Sequence, residues 1–215
     1  MVAAVRPGVA HWPGLGIVQH LRAADARRVP WKNGRGFTDE LALWPPGASF
    51  VRADFDWRIS KAAVEEDGPF SSFPGIERVL VVTEGAGIVL DHGTHAPRVK
   101  LERLVPYRFS GDWPTRAELV DGRVADFNVL CRRGVVRAEV EVLEARAQRS
   151  VQIARHEHAL LHVLEGELEA CRASGRDSWR LTSGESLCLR DEQDVVSLLA
   201  TGRGILVRIA AAAGA

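Results

Sequence analysis

The feature that most constrains this chain is the absence of any long helical period. Short alternating or β-branched runs recur along its length, separated by Gly, Pro, Asn and Asp. Strand-like pieces fall at residues 16–21, 37–44, 50–60, 79–82, 88–90, 99–104, 117–120 and 127–131. After Arg132-Arg133-Gly134 the pattern starts again, with pieces at 135–143, 151–154, 159–164, 168–171, 187–189, 195–199 and 205–209. Many short strands with regular turn signals predict an all-β sandwich or barrel.

Composition sets the limits. A length of 215 residues fits one large β domain or two small ones. Apolar residues make up 46% and charged residues 26%, as in an ordinary globular chain with a sizeable core. Lys and Arg number 28, as do Asp and Glu, so nothing electrostatic points to nucleic acid or an anionic membrane as a partner. No run of about 18 apolar residues is available to span a bilayer. The N-terminal MVAAVRPGVAHWPGLG is broken by Pro7 and Pro13 and lacks the apolar core of a signal peptide. Cys131, Cys171 and Cys188 are odd in number and widely spaced. They read as small apolar strand residues of a reduced, cytoplasmic protein rather than a disulfide frame or a zinc site.

Residues 50–90 carry most of the information. Alternation puts Phe55, Trp57 and Ile59 on one face and Asp56, Arg58 and Ser60 on the other. Upstream, Phe37, Asp39, Leu41 and Leu43 fall on one face of a strand, and Thr38 and Glu40 on the other. A hairpin runs through Glu84-Gly85-Ala86-Gly87. LVVTEGAGIVL (80–90) and LHVLEGELEAC (161–171) share an aliphatic-x-Val-x-Glu-Gly frame. The repeat predicts two copies of one barrel, at residues 15–130 and 131–210.

These Glu-Gly turns look like the turn of the cupin barrel, a small jelly roll. Metal-binding cupins carry G-x5-H-x-H-x3,4-E-x6-G, a three-histidine and carboxylate set suited to iron, manganese or nickel. Counting back from Gly85 puts Arg78 where the glutamate would stand, and Ser71, Ser72, Phe73 and Pro74 where the histidines would. In the second copy, His156 and His158 lie about three residues late for this spacing, and His162 could join them. They read either as a displaced metal centre or as a His-rich turn and strand end. His11, His20, His92 and His95 form no constellation in the sequence. No nucleophile elbow or Walker loop is present, and no cofactor is expected.

What remains is a cationic set. Arg58 and Ser60 share a face, Arg78 points into the barrel if the cupin spacing holds, and Lys32 precedes the Asn33-Gly34 turn. Arginine in a pocket is a planar, bidentate partner for a carboxylate. Trp31, Phe70 and Phe73 could supply apolar walls. Equally, Arg58 could pair with Glu40 or Asp56, and Arg78 with Glu77.

VPWKNGRGFTDELA, FDWRISKAAVEEDGPFSSFPGIERVLVVTEGAG, YRFSGDWPT and DGRVADFNVLCRRG together resemble the HutD/Ves family, in order over residues 28–134. Residues 135–215 resemble it loosely, as a second barrel. The family's Trp-Lys-Asn-Gly-Gly-Gly has Arg35 at its middle glycine here. The resemblance implies a bicupin without a catalytic metal. HutD members are thought to tune histidine utilisation by binding an intermediate such as urocanate or formylglutamate; Ves members are tied to stress or cold response. The family positions carried over are Trp31, Lys32, Asn33, Thr38, Glu40, Arg58, Ser60, Phe70, Phe73, Arg78 and Asn128. The leading expectation is a cytoplasmic, non-enzymatic binder of a small carboxylate. One alternative is a metal-independent cupin isomerase or epimerase using a His or Tyr acid/base pair, with Tyr107 the only tyrosine. Another is an interaction protein whose second barrel forms a homodimer surface.

Overall fold

The alternating runs form strands. In the computed structural model, which describes residues 17–30, 37–175, 177–190 and 195–212, the only helix among the described residues is a 3-10 turn at Ala23–Asp25. Three strands come first: β1 (Ile17–Leu21), β2 (Arg27–Pro30) and β3 (Phe37–Trp44). A first set follows: β4 (Trp57–Val64), β5 (Gly68–Pro69), β6 (Ile76–Glu84), β7 (Ile88–Asp91), β8 (Val99–Leu101), β9 (Tyr107–Ser110), β10 (Arg116–Leu119) and β11 (Val124–Arg132). The second set is β12 (Val136–Leu143), β13 (Gln148–Val151), β14 (His158–Glu165), β15 (Glu167–Arg172), β16 (Ser178–Thr182), β17 (Ser186–Arg190), β18 (Val196–Ala200) and β19 (Arg203–Ala211). Among the described residues no helix is long and apolar enough to cross a membrane.

The two sets pair in the same order. The first builds β4-β11-β6-β9 and β5-β10-β7-β8; the second builds β12-β19-β14-β17 and β13-β18-β15-β16. In each, the two sheets share an apolar core. Leu80, Val82 and Phe109 face Ile88, Leu90 and Ala117 in the first. Ala159, Leu161 and Leu206 face Leu168, Ala170 and Leu198 in the second. The larger sheets then pack back to back through Trp57, Ile59, Phe127 and Val129 on one side and Leu160, Ile205 and Val207 on the other. The result is four layers of sheet, each apolar face buried against another. Cys131 and Cys188 sit in this back-to-back layer, Cys171 is exposed, and none is in a disulfide.

The repeated Glu-Gly has a steric cause. Gly85 has φ +92, and a β-carbon there would lie 2.5 Å from the Arg123 carbonyl oxygen. Gly166 has φ +75, and its β-carbon would lie 2.8 Å from Gly202. Each turn is left-handed and pressed against the neighbouring turn that leads into β11 or β19, so only glycine fits.

Two local expectations change. The run at 16–21 was grouped with the first unit, but β1 pairs with β17 in the sheet of the second, from Ile17↔Arg190 to Leu21↔Ser186. It covers backbone groups that an edge strand would leave open. In β3, strict alternation fails at a bulge between Glu40 and Ala42. Glu40 lies opposite Ser60 and Leu43 opposite Arg58, so Leu43 shares a face with Glu40 rather than with Phe37.

Candidate functional site

The site is laid out by strand register. One row across the larger sheet of the first unit reads Leu43, Arg58, Leu130, Arg78, Phe109; the next reads Glu40, Ser60, Asn128, Leu80, Tyr107. One step further, Ala62, Asp126 and Val82 align. All point inward between the two sheets. The equivalent face of the second unit carries Ala159, Leu161, Val163 and Leu206, which belong to an apolar cluster, and its matching row reads Glu139, Arg208, Ala159. Seven residues before the glycine of each Glu-Gly turn, the first unit has Arg78 and the second has Ala159.

Arg58 and Arg78 are 4% and 6% exposed. Arg58 Nε donates to Glu40 Oε2 at 2.7 Å, and its guanidinium lies 4.1 Å from the Phe50 ring centre. Burial lowers the Arg58 pKa, and the Glu40 carboxylate opposes that. Among the described residues no carboxylate lies within salt-bridge distance of Arg78. Its Nη2 donates to Asn128 Oδ1 at 3.0 Å and its Nη1 to the Ser71 carbonyl at 3.4 Å. Rings of Phe109, Phe70 and Phe73 surround it at 4.8, 5.3 and 5.4 Å. Burial pushes its pKa down to about 10, so it remains a cation at neutral pH. The Asn128 amide in turn donates to Asp126. Burial outweighs the pull of Arg78 and raises the Asp126 pKa to about 7. Below that pH the neutral acid leaves the Arg78 charge uncompensated.

Among the buried side-chain atoms without a hydrogen-bond partner are two guanidinium donors of this site, Arg58 Nη2 and Arg78 Nε. Leaving such a donor unsatisfied costs about 1–3 kcal/mol, more for a charged group.

The structure thus brings together Glu40, Arg58, Ser60, Phe70, Phe73, Arg78 and Asn128. Trp31, Lys32 and Asn33 lie outside the described residues. Of the expected ion pairs, Arg58–Glu40 is present, whereas Asp56 lies 3.9 Å from Arg132. Glu77 is next to Arg78 on a strand, and so on its opposite face.

Sequence reasoning missed Phe50, Phe109, Asp126 and above all His92. His92, which the sequence assigned to no constellation, is fully buried. The Thr115 hydroxyl donates to the Trp113 carbonyl at 3.2 Å, so it accepts from His92 Nδ1–H at 2.9 Å. That leaves Nε2 to accept the Tyr107 hydroxyl at 3.2 Å, which assigns the tautomer. Phe109 joins this group to the arginines, with its ring 5.1 Å from His92. Burial first, with Arg78 among the nearby charges, holds the His92 pKa down; burial raises that of Tyr107.

The three-histidine metal centre is not formed. His158 and His162 are four residues apart on β14, about 13 Å along a strand. His158 packs on Trp44 and Trp57, at 4.8 and 5.1 Å, beside a cavity of about 190 Å³ that His156 also lines. His162 packs on Phe127 at 5.5 Å at the other end of the seam. Among the described residues no group of three His, Cys, Asp or Glu could hold a metal ion.

Comparison with known proteins gives one consistent result. The family model HutD matches residues 23–207. Protein Ves from Cronobacter sakazakii is 37% identical over 146 residues, 66% of this chain and 75% of that protein. A 21.2 kDa protein from the hutC 3′ region of Pseudomonas putida is 30% identical over 194 residues, 89% of this chain and 97% of that one. The solved structure of HutD from Pseudomonas fluorescens SBW25, in a formate condition, has a TM-score of 0.75 at 27% identity, covering 91% of this chain and 100% of that chain.

Proposed function

The chain belongs to the HutD family, and on that premise we propose that it is a histidine-utilisation protein that binds a small carboxylate between Arg58 and Arg78. It acts through that binding, as a regulator, rather than through catalysis. We read its two eight-stranded units as cupin barrels, the first carrying the site. The observation that supports the reading is the pair of unpartnered buried donors, Arg58 Nη2 and Arg78 Nε. Both arginines flank Leu130 in one row, so their Cα atoms are about 10 Å apart by strand spacing. A carboxylate between them would receive charge-assisted bonds from both. Phe70, Phe73 and Phe109 offer an apolar wall to the rest of the molecule. Urocanate and formylglutamate fit this class, and formate, the condition under which the P. fluorescens relative was solved, is its smallest member.

Calorimetric titration with formate, urocanate and formylglutamate tests this. At least one should bind, and Arg78→Met should weaken it tenfold or more. Affinity should also fall as pH rises through about 7, where Asp126 loses its proton and supplies Arg78 with a competing anion. Failure of all three to bind, or unchanged binding by Arg78→Met, rejects the site.

The Tyr107–His92 hydrogen bond favours a second reading, a metal-independent isomerase or epimerase with Tyr107 as acid or base. It requires that a bound carboxylate exchange a C–H proton with D2O, and that Tyr107→Phe abolish the exchange. No exchange by the wild type removes it.

A further inference from the structure

We propose that the seam between the two units holds a second anion site, built on Lys61 and His162 and suited to a small organic carboxylate. A cavity of about 560 Å³ opens there, where β4, β6 and β11 meet β14. Most of its charges are already engaged. Arg28 bonds Asp39 at 3.0 Å, Arg103 bonds the Thr83 carbonyl at 2.7 Å, and Arg123 lies 4.0 Å from Glu84.

Lys61 differs from these. It lines the cavity and is partly withdrawn from water. Among the described residues no carboxylate lies within salt-bridge distance of its ammonium, and it makes no hydrogen bond; Asp39 and Glu84 act on it only at longer range. Burial, the largest influence, lowers its pKa.

His162 supplies the second group. It is 1% exposed, packed at a tilt against Phe127, and its Nδ1 is paired with the Ser186 hydroxyl at 2.9 Å. That pairing leaves Nε2 as the nitrogen available to the cavity. Burial, with Lys61 second, drives its pKa down to about 3, so the ring is neutral. If the Ser186 hydroxyl donates to Nδ1, Nε2 carries the proton and can donate alongside the Lys61 ammonium. A half-desolvated cation beside a neutral donor is a fit for a monoanion, and lysine offers it a compact charge with three donors.

This site is distinct from the arginine pair. Arg58 and Ser60 point inward from β4, whereas Ile59 and Lys61 alternate onto the back face, toward the second unit. One strand therefore presents a cation to each side of the sheet.

The chain has three lysines, Lys32, Lys61 and Lys100, which makes amine labelling decisive. The full chain is reductively methylated in sodium acetate and in sodium chloride of equal ionic strength, and each lysine is followed by mass spectrometry. Acetate should slow Lys61 at least threefold relative to chloride and leave Lys100, on β8, unchanged. The same protection should persist in Arg78→Met and weaken in His162→Asn. Equal Lys61 rates in the two salts overturn the proposal. So does protection that disappears in Arg78→Met, since the anion would then sit on the inner face of the sheet.

Discussion

Glu40→Ala should lower the unfolding free energy by about 3–5 kcal/mol, because it strips Arg58 of its carboxylate in a place water cannot easily reach. Both side chains are at most 5% exposed, and the Arg58–Glu40 bond is 2.7 Å long. The effect belongs to the charge left behind rather than to the strength of the bond. A Glu40→Leu/Arg58→Met double variant removes both charges and should recover most of the loss, since a buried ion pair and a well-packed apolar pair are often close in energy. Urea denaturation of the two variants measures the difference. A loss below about 1 kcal/mol for Glu40→Ala would mean that Arg58 finds another partner or water. The double variant should also fail to bind carboxylate while remaining folded, which separates the stabilising role of the pair from its role toward a ligand.

Gly85→Ala should destabilise by about 3 kcal/mol, from two separate sources. A non-glycine residue at φ +92 carries backbone strain of order 1–3 kcal/mol. Its β-carbon would also press on the Arg123 carbonyl oxygen at 2.5 Å and the Val124 side chain at 2.9 Å, and overpacking adds about 1–3 kcal/mol. Gly75→Ala is the control. That residue has φ +73 with nothing within 4 Å of the added carbon, so only the strain term of about 1 kcal/mol applies. If the two variants melt at the same temperature, the close approach of the two turns has no energetic weight.

Much of the inner face was legible because a strand has a period of two. Alternation alone put Arg58 and Ser60 together, and counting from Gly85 pointed Arg78 inward. The same period, run two residues back from Asn128, would have found Asp126. The alternation rule misjudged Leu43 because a bulge in β3 resets the phase, and no residue type marks that bulge. His92 was unreadable for another reason. Asp91-His92-Gly93 has the composition of an exposed turn, and only the return of β9 and β10 closes Tyr107, Trp113 and Thr115 over it. The histidines of β14 misled in the opposite way. His158 and His162 are close in sequence, but an extended strand carries them to opposite ends of the seam.

The pairing of β1 has a consequence for the order in which the molecule can be made. Leu21 meets Ser186 and Ile17 meets Arg190, partners that lie 165 and 173 residues further along the chain. During synthesis the first strand leaves the ribosome before nearly everything it will touch, while β2 and β3 need only wait for β4. At about 5–20 residues per second, the delay before β17 exists is on the order of ten seconds or more. Over that interval β1 lacks its strand partner, and its pairing beside β17 must wait until most of the second unit has been made.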